Sequence, residues 1–190
     1  MSDKPTFFYT RKGDTGTTMI YGQSERLPKD HVRITAYGTI DEAQAFLGVA
    51  RASSVQPRTQ EIIIRIEHDL YVMMSELAVA DSVKLSMPAI DESNIDWLES
   101  VCHEIGEFIG KLAGFVLPGD TLTGAYLHVA RTVTRRAERL VTRLYLDEVL
   151  KNKYNLVYLN RLSSLLFVLA LYEDRHGGVE SPTYAGAKQL

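Results

Sequence analysis

Arginines recur at every fourth position in the stretch LHVARTVTRRAERLVTR, residues 127–143. In a helix, residues four apart share a face, and each guanidinium presents a planar fork of donors that matches phosphate or carboxylate oxygens. One carboxylate, Glu138, lies beside this stripe. The excess of positive charge predicts an anionic ligand or acidic residues on another chain, although a solvated outer face is the ordinary alternative. The four residues of the stripe are Arg131, Arg135, Arg139 and Arg143.

A second cluster, TRKGDTGTT at residues 10–18, combines glycines, threonines and charged side chains. Glycines allow successive N–H groups to turn towards one point, which makes a nest for an anion. Lys29 follows in a polar connection and adds a cation. The cluster lacks the Gly-Lys-Ser/Thr ending of a P-loop, and a plain surface turn is its alternative. Together with the arginine stripe, it favours a polyphosphate ligand held mainly by electrostatics.

The histidines and the single cysteine do not predict a metal or covalent site. None of the five histidines has a ligand spacing such as His-x-x-x-His with a carboxylate. Cys102 and His103 are adjacent, so they point to different sides of a helix. We therefore expect no metal ion bound by protein side chains, and no catalytic triad or cysteine–histidine pair is indicated by spacing.

Composition indicates one soluble globular domain. The chain has 190 residues, 45% of them hydrophobic and 24% charged, with a net charge of −3. This charge argues against nucleic-acid binding. A single cysteine suits a reducing compartment, and the start MSDKPTFFYT lacks a signal-peptide pattern, so we expect a cytoplasmic protein. Polar residues interrupt the apolar stretch 156–172, so we expect a buried helix there and no membrane span.

Helical periodicity predicts an all-α fold, a five-helix up-and-down bundle. The last helix is apolar nearly all round, which predicts that it is the central one. We expect an irregular segment over residues 1–32, the bundle over 33–178, and a loosely held C-terminal tail over 179–190. The expected helices are 33–51, 59–82, a third that follows an N-cap at Asp91 and extends to Leu112, 121–148 and 153–175.

Three sequence blocks span nearly the whole chain. The first holds TRKGDTGTT, RLPKD and AYGTIDE within residues 10–42, the second holds LPGD and LHVARTVTRRAER within 117–139, and the third is YLNRLSSLLFVLA at 158–170. In order and spacing they resemble the PduO-type ATP:corrinoid adenosyltransferases. The resemblance implies a trimer of five-helix bundles with active sites between subunits. It also implies transfer of the 5′-deoxyadenosyl group of ATP to the cobalt of cob(I)alamin, with triphosphate as the leaving group.

The resemblance implies roles for individual residues. Asp41 would pair with Arg131 of the neighbouring subunit, and Phe115 would lie against the corrin ring and keep the lower cobalt face free of water or base. The implied catalytic residues are Asp41, Phe115, Arg131 and Arg135. The implied ATP-binding residues are Thr10, Arg11, Gly13, Asp14, Gly16, Thr17, Thr18, Lys29, Arg135, Glu138, Arg139 and Asn160.

The resemblance also implies partners, and it has departures. Mg²⁺ would be bound through the ATP phosphates, and a separate cob(II)alamin reductase would supply electrons. Asp120 stands where the family commonly has the second glycine of Pro-Gly-Gly, and Ser164 where it commonly has the aspartate of Leu-Ser-Asp. Two alternatives are an ATP-binding regulatory or sensor module on the same trimeric scaffold and a purely structural helical trimer. The alternative for Phe115 is a plug at the end of the bundle.

Overall fold

The computed structural model describes residues 8–80, 82–83 and 86–186, and five helices dominate them. Ahead of the helices lies one antiparallel pair of two-residue strands. Strands this short show no alternation in the sequence, which is why they were not predicted. The all-α bundle is confirmed. Its elements are β1 (Thr17–Thr18), β2 (Leu27–Pro28), α1 (Val32–Ser53), α2 (Pro57–Leu77), α3 (Glu92–Ile109), α4 (Leu122–Leu146) and α5 (Lys153–His176).

Two helices share the middle of the bundle. Helix α4 packs against α1 on one side and α5 on the other, while α3 packs on α5 and α2 on α1. The prediction that α5 alone is central is therefore incomplete. By length and hydropathy α5 could cross a membrane, but Tyr158, Leu162 and Leu166 are fully buried in the core. On α4, Ala130 and Ala137 are also fully buried, and small side chains allow helices to approach closely.

Local sequence signals set some of the helix ends. Asp91 caps α3 as predicted, because its side chain accepts the N–H of Ser93 while Asn94 bonds back to the backbone of Asp91. Helix α3 ends at Ile109 because Gly110 adopts a φ of +75°, so Leu112 lies outside the helix.

Helix α2 ends earlier than predicted, at Leu77. The chain after it pairs with the N-terminal segment: the Tyr21 N–H donates to Ala78 (2.9 Å) and the Ala80 N–H donates to Tyr21 (2.8 Å). This pairing replaces the next helical turn. It also ties the segment that follows the N-terminal loop to the bundle.

The C-terminal tail contradicts the expectation of a loosely held segment, as far as residue 186. Val116 and Tyr184 form an antiparallel bridge. On either side of it, the Leu117 N–H donates to Thr183 (2.8 Å) and the Ala185 N–H donates to Phe115 (2.8 Å). The tail thus runs alongside the segment between α3 and α4. Residues 187–190 of the predicted tail lie outside the described part of the chain.

Candidate active site

The N-terminal cluster folds into consecutive turns before α1. Gly16 adopts a φ of +76° and Arg11 a φ of +60°, and the Gly16 N–H donates to Gly13 (3.2 Å). The predicted turn is therefore present, and two of its residues have the positive φ values from which an anion nest can be built. The loop contains seven of the predicted residues, and the eighth, Lys29, follows it; the seven are Thr10, Arg11, Gly13, Asp14, Gly16, Thr17 and Thr18.

Arg26 holds this loop in shape, a role that the sequence analysis did not assign. Its Nε donates to the Thr17 hydroxyl (2.8 Å), and its terminal nitrogen donates to the carbonyls of Lys12 (2.6 Å) and Thr17 (2.8 Å). One guanidinium thereby joins the β2 side of the hairpin to both ends of the turn. The RLPKD block contained this residue, but nothing in its spacing indicated the partners.

Lys29 lies against the loop, beside Gly13. A Cβ atom at Gly13 would stand 3.1 Å from its Nζ, so the absence of a side chain at position 13 makes room for the cation. The Lys29 N–H also donates to the Gly16 carbonyl (3.0 Å). Lys29 and Thr18, at the end of the loop, line a common cleft.

This cleft, of about 550 Å³, lies between the loop and the first turns of α1. Burial raises the pKa of Tyr37 in its wall, while a hydrogen bond with Thr18 acts in the opposite direction. Tyr37 therefore stays a neutral phenol, which can donate to a ligand oxygen. Tyr37 was not among the predicted site residues, although it belongs to the AYGTIDE block that carries the family resemblance. The lining residues are Thr18, Lys29, Ile34, Thr35, Tyr37, Gly38, Thr39 and Glu42.

A second group of predicted residues comes together between α4 and α5. The Asn160 side-chain amide donates to the Glu138 carboxylate (2.9 Å), and Arg135 lies 3.9 Å from the same carboxylate. Arg139 donates to the Arg135 carbonyl (2.9 Å) and remains exposed. The group is an exposed cationic face with one partly buried carboxylate, which suits a phosphorylated ligand.

The remaining arginines show which part of the stripe is an ordinary solvated helix face and which part has positive charge available to an anion. Arg143 pairs with Asp147 one turn away (2.6 Å), as a solvated helix face would. Arg136, which lies off the stripe, pairs with Glu42 of α1 at the rim of the cleft. At its C-terminal end the stripe therefore forms an ion pair within the helix, whereas around Arg135 the positive charges outnumber the carboxylates.

Arg131 is held by a residue that the sequence analysis passed over. Its Nε donates to Nδ1 of His128 (3.3 Å), one turn earlier. Burial lowers the pKa of His128 to about 4, and the positive charge of Arg131 acts in the same direction. His128 is thus neutral near pH 7 and accepts through Nδ1. The i, i+3 spacing was a usable signal for this contact.

The proposed partner of Arg131 does not reach it within one chain. Asp41 is exposed on α1, and in the described part of the chain no ion pair or side-chain hydrogen bond involves it. The pairing across subunits stays a prediction.

Phe115 stands in the segment between α3 and α4 with its side chain 75% exposed. Its neighbour Val116 is buried instead, at 6% exposure. The alternative that Phe115 plugs the end of the bundle is therefore wrong, because the ring is not packed into the core. An exposed aromatic ring is available to a ligand.

The predicted residues thus fall into two groups on opposite sides of α4. The cleft with the N-terminal loop lies on the α1 side, where Glu42 meets Arg136. The Glu138–Asn160 pair lies on the α5 side. Among the described residues, no hydrogen bond or ion pair joins Lys29 to Glu138 or Asn160. Each group carries cations suited to an anion.

Comparison with known proteins identifies the family. Residues 8–173 match the cobalamin adenosyltransferase family. The chain is 40% identical over 168 residues to a corrinoid adenosyltransferase of Citrobacter freundii, covering 87% of this chain and 94% of the relative. It is 36% identical over 179 residues to a cobalamin adenosyltransferase of Cupriavidus metallidurans, covering 94% of each.

A solved structure gives the same result for the fold. A variant of the PduO-type ATP:corrinoid adenosyltransferase from Lactobacillus reuteri, complexed with cobalamin and ATP, superposes with a TM-score of 0.84. The two are 32% identical, and the match covers 96% of this chain and 98% of that one. The family match, the relatives and the shared bundle lead to one conclusion: the chain belongs to the cobalamin adenosyltransferase family.

Proposed function

We propose that the two residue groups on either side of α4 carry out ATP:corrinoid adenosyl transfer. The electron pair of cobalt in cob(I)alamin attacks the 5′ carbon of the ATP ribose. The bond from that carbon to the phosphate oxygen breaks, and triphosphate leaves with its electron pair. No protein nucleophile or base is needed, so the protein supplies position and charge stabilisation.

The N-terminal loop and Lys29 bind the phosphates in this proposal. The leaving triphosphate gains negative charge, and N–H groups and cations fixed in advance stabilise it without rearranging. Arg135, Glu138, Arg139 and Asn160 bind ATP from the α4–α5 face. Mg²⁺ enters with the nucleotide, as the Mg–ATP complex.

The protein is a homotrimer in this proposal, with each active site shared between subunits. The observation that carries the proposal is that the loop with Lys29 and the cationic α4–α5 face lie on opposite sides of α4, with no hydrogen bond or ion pair joining Lys29 to Glu138 or Asn160 among the described residues. Rotation of one copy against the next brings the loop of one to the α4–α5 face of the other. Asp41 then pairs with Arg131 of the neighbouring subunit.

The corrinoid substrate lies against Phe115. Its exposed ring covers the lower face of cobalt and excludes water or a nitrogen base as an axial ligand. Removing an axial donor makes cobalt easier to reduce. The electrons come from a separate cob(II)alamin reductase. A cytoplasmic location suits both this reduction and a chain with a single cysteine.

A spectral assay tests the activity directly. The protein is mixed under anaerobic conditions with ATP, Mg²⁺ and chemically reduced cob(I)alamin, and the absorbance spectrum is followed. We expect the spectrum of adenosylcobalamin to grow with the protein concentration, together with one triphosphate per cobalt. ATP binding without any spectral change would instead favour the regulatory module, and absence of ATP binding would favour the structural trimer.

A further inference from the structure

Asp120 fastens the C-terminal tail to the segment that carries Phe115. One oxygen of its carboxylate accepts the Thr183 backbone N–H at 2.9 Å, and the other accepts the Thr183 hydroxyl at 2.6 Å. The two residues are 63 positions apart in the chain. Hydrogen bonds to an ionised carboxylate are roughly twice as strong as neutral ones.

Asp120 is not needed to cap the following helix. The N-cap of α4 is Thr121, whose hydroxyl accepts the Gly124 N–H (3.0 Å) and donates to Asp174 (2.6 Å). Both recorded hydrogen bonds of the Asp120 carboxylate go to Thr183. The hydrogen bonds of this side chain therefore join the segment before α4 to the tail, while its charge also acts on the nearby His128 and Asp174.

The segment before Asp120 needs an external support. It is bounded by Gly110 and Gly119, both at positive φ, and Gly114 immediately precedes Phe115. Glycines give a segment more conformations to lose when it is ordered. A segment of this composition therefore requires contacts from outside to hold one shape.

The tail supplies that support as a short second strand. Besides the two backbone bonds that flank the Val116–Tyr184 bridge, the Tyr184 hydroxyl accepts the Ala113 N–H at 3.3 Å. Successive residues of an extended strand point to opposite faces. The pairing therefore fixes Val116 inwards and Phe115 outwards, in agreement with their exposures of 6% and 75%.

We propose that Asp120 is a positioning residue for the corrinoid step, acting through Thr183 on the direction of the Phe115 ring. This inference rests on the proposed function of Phe115 as the group that covers the lower cobalt face. Asp120 does not touch the substrate. It closes the open end of the strand pair, so that the ring projects from a braced segment.

The experiment compares Asp120→Ala, Thr183→Val and Thr183→Ser in the full chain, with Ser181→Ala as the matched control. Ser181 is exposed in the same tail and takes no part in the hydrogen bonds that join the two segments. Three quantities are measured: ATP affinity, the KM and rate with cob(II)alamin plus a reducing system, and the electron paramagnetic resonance spectrum of cob(II)alamin bound with ATP. That spectrum reports whether cobalt has an axial ligand.

We expect Asp120→Ala to lower the rate from cob(II)alamin about tenfold, as loss of a hydrogen-bonded charge would. ATP affinity should be unchanged, and more of the bound cobalt should carry an axial ligand. Thr183→Val should produce a smaller loss of the same kind, since it keeps the backbone N–H. Thr183→Ser and Ser181→Ala should behave like the parent protein. The double variant of Asp120→Ala and Thr183→Val should be no worse than Asp120→Ala alone.

Two outcomes would contradict the inference. If Asp120→Ala and Thr183→Val lower only the melting temperature and leave the resonance spectrum and corrinoid KM unchanged, Asp120 is a structural residue. Thr183→Val decides the matter if Asp120→Ala fails to fold. Phe115→Ala separates this failure from failure of the underlying proposal: if it too leaves the spectrum and rate unchanged, the function of Phe115 is wrong and both ideas are overturned.

Discussion

The side-chain amide of Asn160 on α5 donates a 2.9 Å hydrogen bond to the carboxylate of Glu138 on α4. The other end of the same amide accepts from Arg161 at 3.1 Å, so both ends have a partner that fixes its orientation. Glu138 in turn lies 3.9 Å from Arg135. These two hydrogen bonds and the ion pair connect α4 and α5 at the proposed ATP-binding face.

Asn160→Asp should weaken ATP binding more than Asn160→Ala does. The aspartate places a second carboxylate against Glu138, and like charges this close repel and draw protons or water into the site. We expect about a tenfold loss of ATP affinity for Asn160→Ala and a larger one for Asn160→Asp, measured by isothermal titration calorimetry. Equal affinities for parent and both variants would show that Asn160 does not face the nucleotide.

Arg135→Ala should reduce ATP use strongly and leave stability almost unchanged. The side chain is 51% exposed, so its removal leaves no cavity. A lost charge-assisted phosphate contact should cost about 2–3 kcal/mol of binding free energy, roughly a hundredfold in affinity. Arg143→Ala is the matched control, because Arg143 belongs to the same stripe but pairs with Asp147. Similar affinities for the two variants would identify the whole stripe as a solvated face.

Opposite charge reversals should test the proposed subunit contact. Asp41→Arg or Arg131→Asp alone places like charges against each other, which costs several kcal/mol at an interface, while the double reversal restores attraction. We expect each single variant to dissociate and the double variant to recover the trimeric mass in light scattering. Asp96→Arg, an exposed reversal on α3, is the control. A parent protein that is monomeric, or a double variant no better than the worse single one, would exclude the pair.

Phe115→Ala should slow adenosylation while leaving the fold intact. A core phenylalanine would cost roughly 3–5 kcal/mol on truncation, but a ring with 75% exposure should cost less than about 1 kcal/mol. The rate should fall most when the assay starts from cob(II)alamin, and preformed cob(I)alamin should restore part of it. Melting curves and both rates are measured together. A large loss of stability with an unchanged rate from cob(II)alamin would make Phe115 a structural residue.

Acid should destabilise the protein partly through His128. Its pKa is lowered to about 4 in the folded chain, against about 6.5 when exposed. The unfolded state therefore binds more protons between these values, and stability falls as the pH drops from about 6.5 towards 4. The contribution is about 2 kcal/mol.

Chemical denaturation at pH 7 and pH 5 measures this contribution. His128→Asn keeps an acceptor near Arg131 and removes the titration, so its stability should change less between the two pH values than that of the parent. Groups such as Asp69, whose pKa burial raises, are common to both proteins and cancel in the comparison. An identical pH dependence in the two proteins would show that His128 titrates normally.

The elements that the sequence predicted depend on local signals. The Asp91 cap and the stop of α5 before Gly177 and Gly178 are encoded within a few residues, and the helical period covers whole turns. The early end of α2 and the ordered tail depend instead on partners far along the chain, such as Tyr21 for Ala78 and Asp120 for Thr183. The hydrophobic pattern along the sequence does not indicate such pairs, because they form only when the tertiary fold brings distant segments together.

In the candidate site, too, local spacing indicated some residues, whereas the contacts of others depend on the tertiary fold. Spacing within α4 revealed the arginine stripe, and the i, i+3 relation of His128 and Arg131 could have been read from it. The meeting of Glu138 with Asn160 was expected only from family resemblance, since the two lie on different helices. Arg26 gave no signal, because its acceptors are mostly backbone carbonyls, which every residue has.

The hydrogen bonds from Arg26 to the N-terminal loop have a kinetic consequence for the proposed binding of phosphate. If Arg26 holds the loop in the shape that binds phosphate, no ordering step follows encounter, so nucleotide association should be limited by diffusion and by attraction to the nearby cations. Such attraction is screened by added salt. ATP should therefore bind more slowly as ionic strength rises, while its dissociation rate changes little. If Arg26 is replaced by alanine, association should become slow and nearly insensitive to salt, because ordering of the loop is then the rate-limiting step.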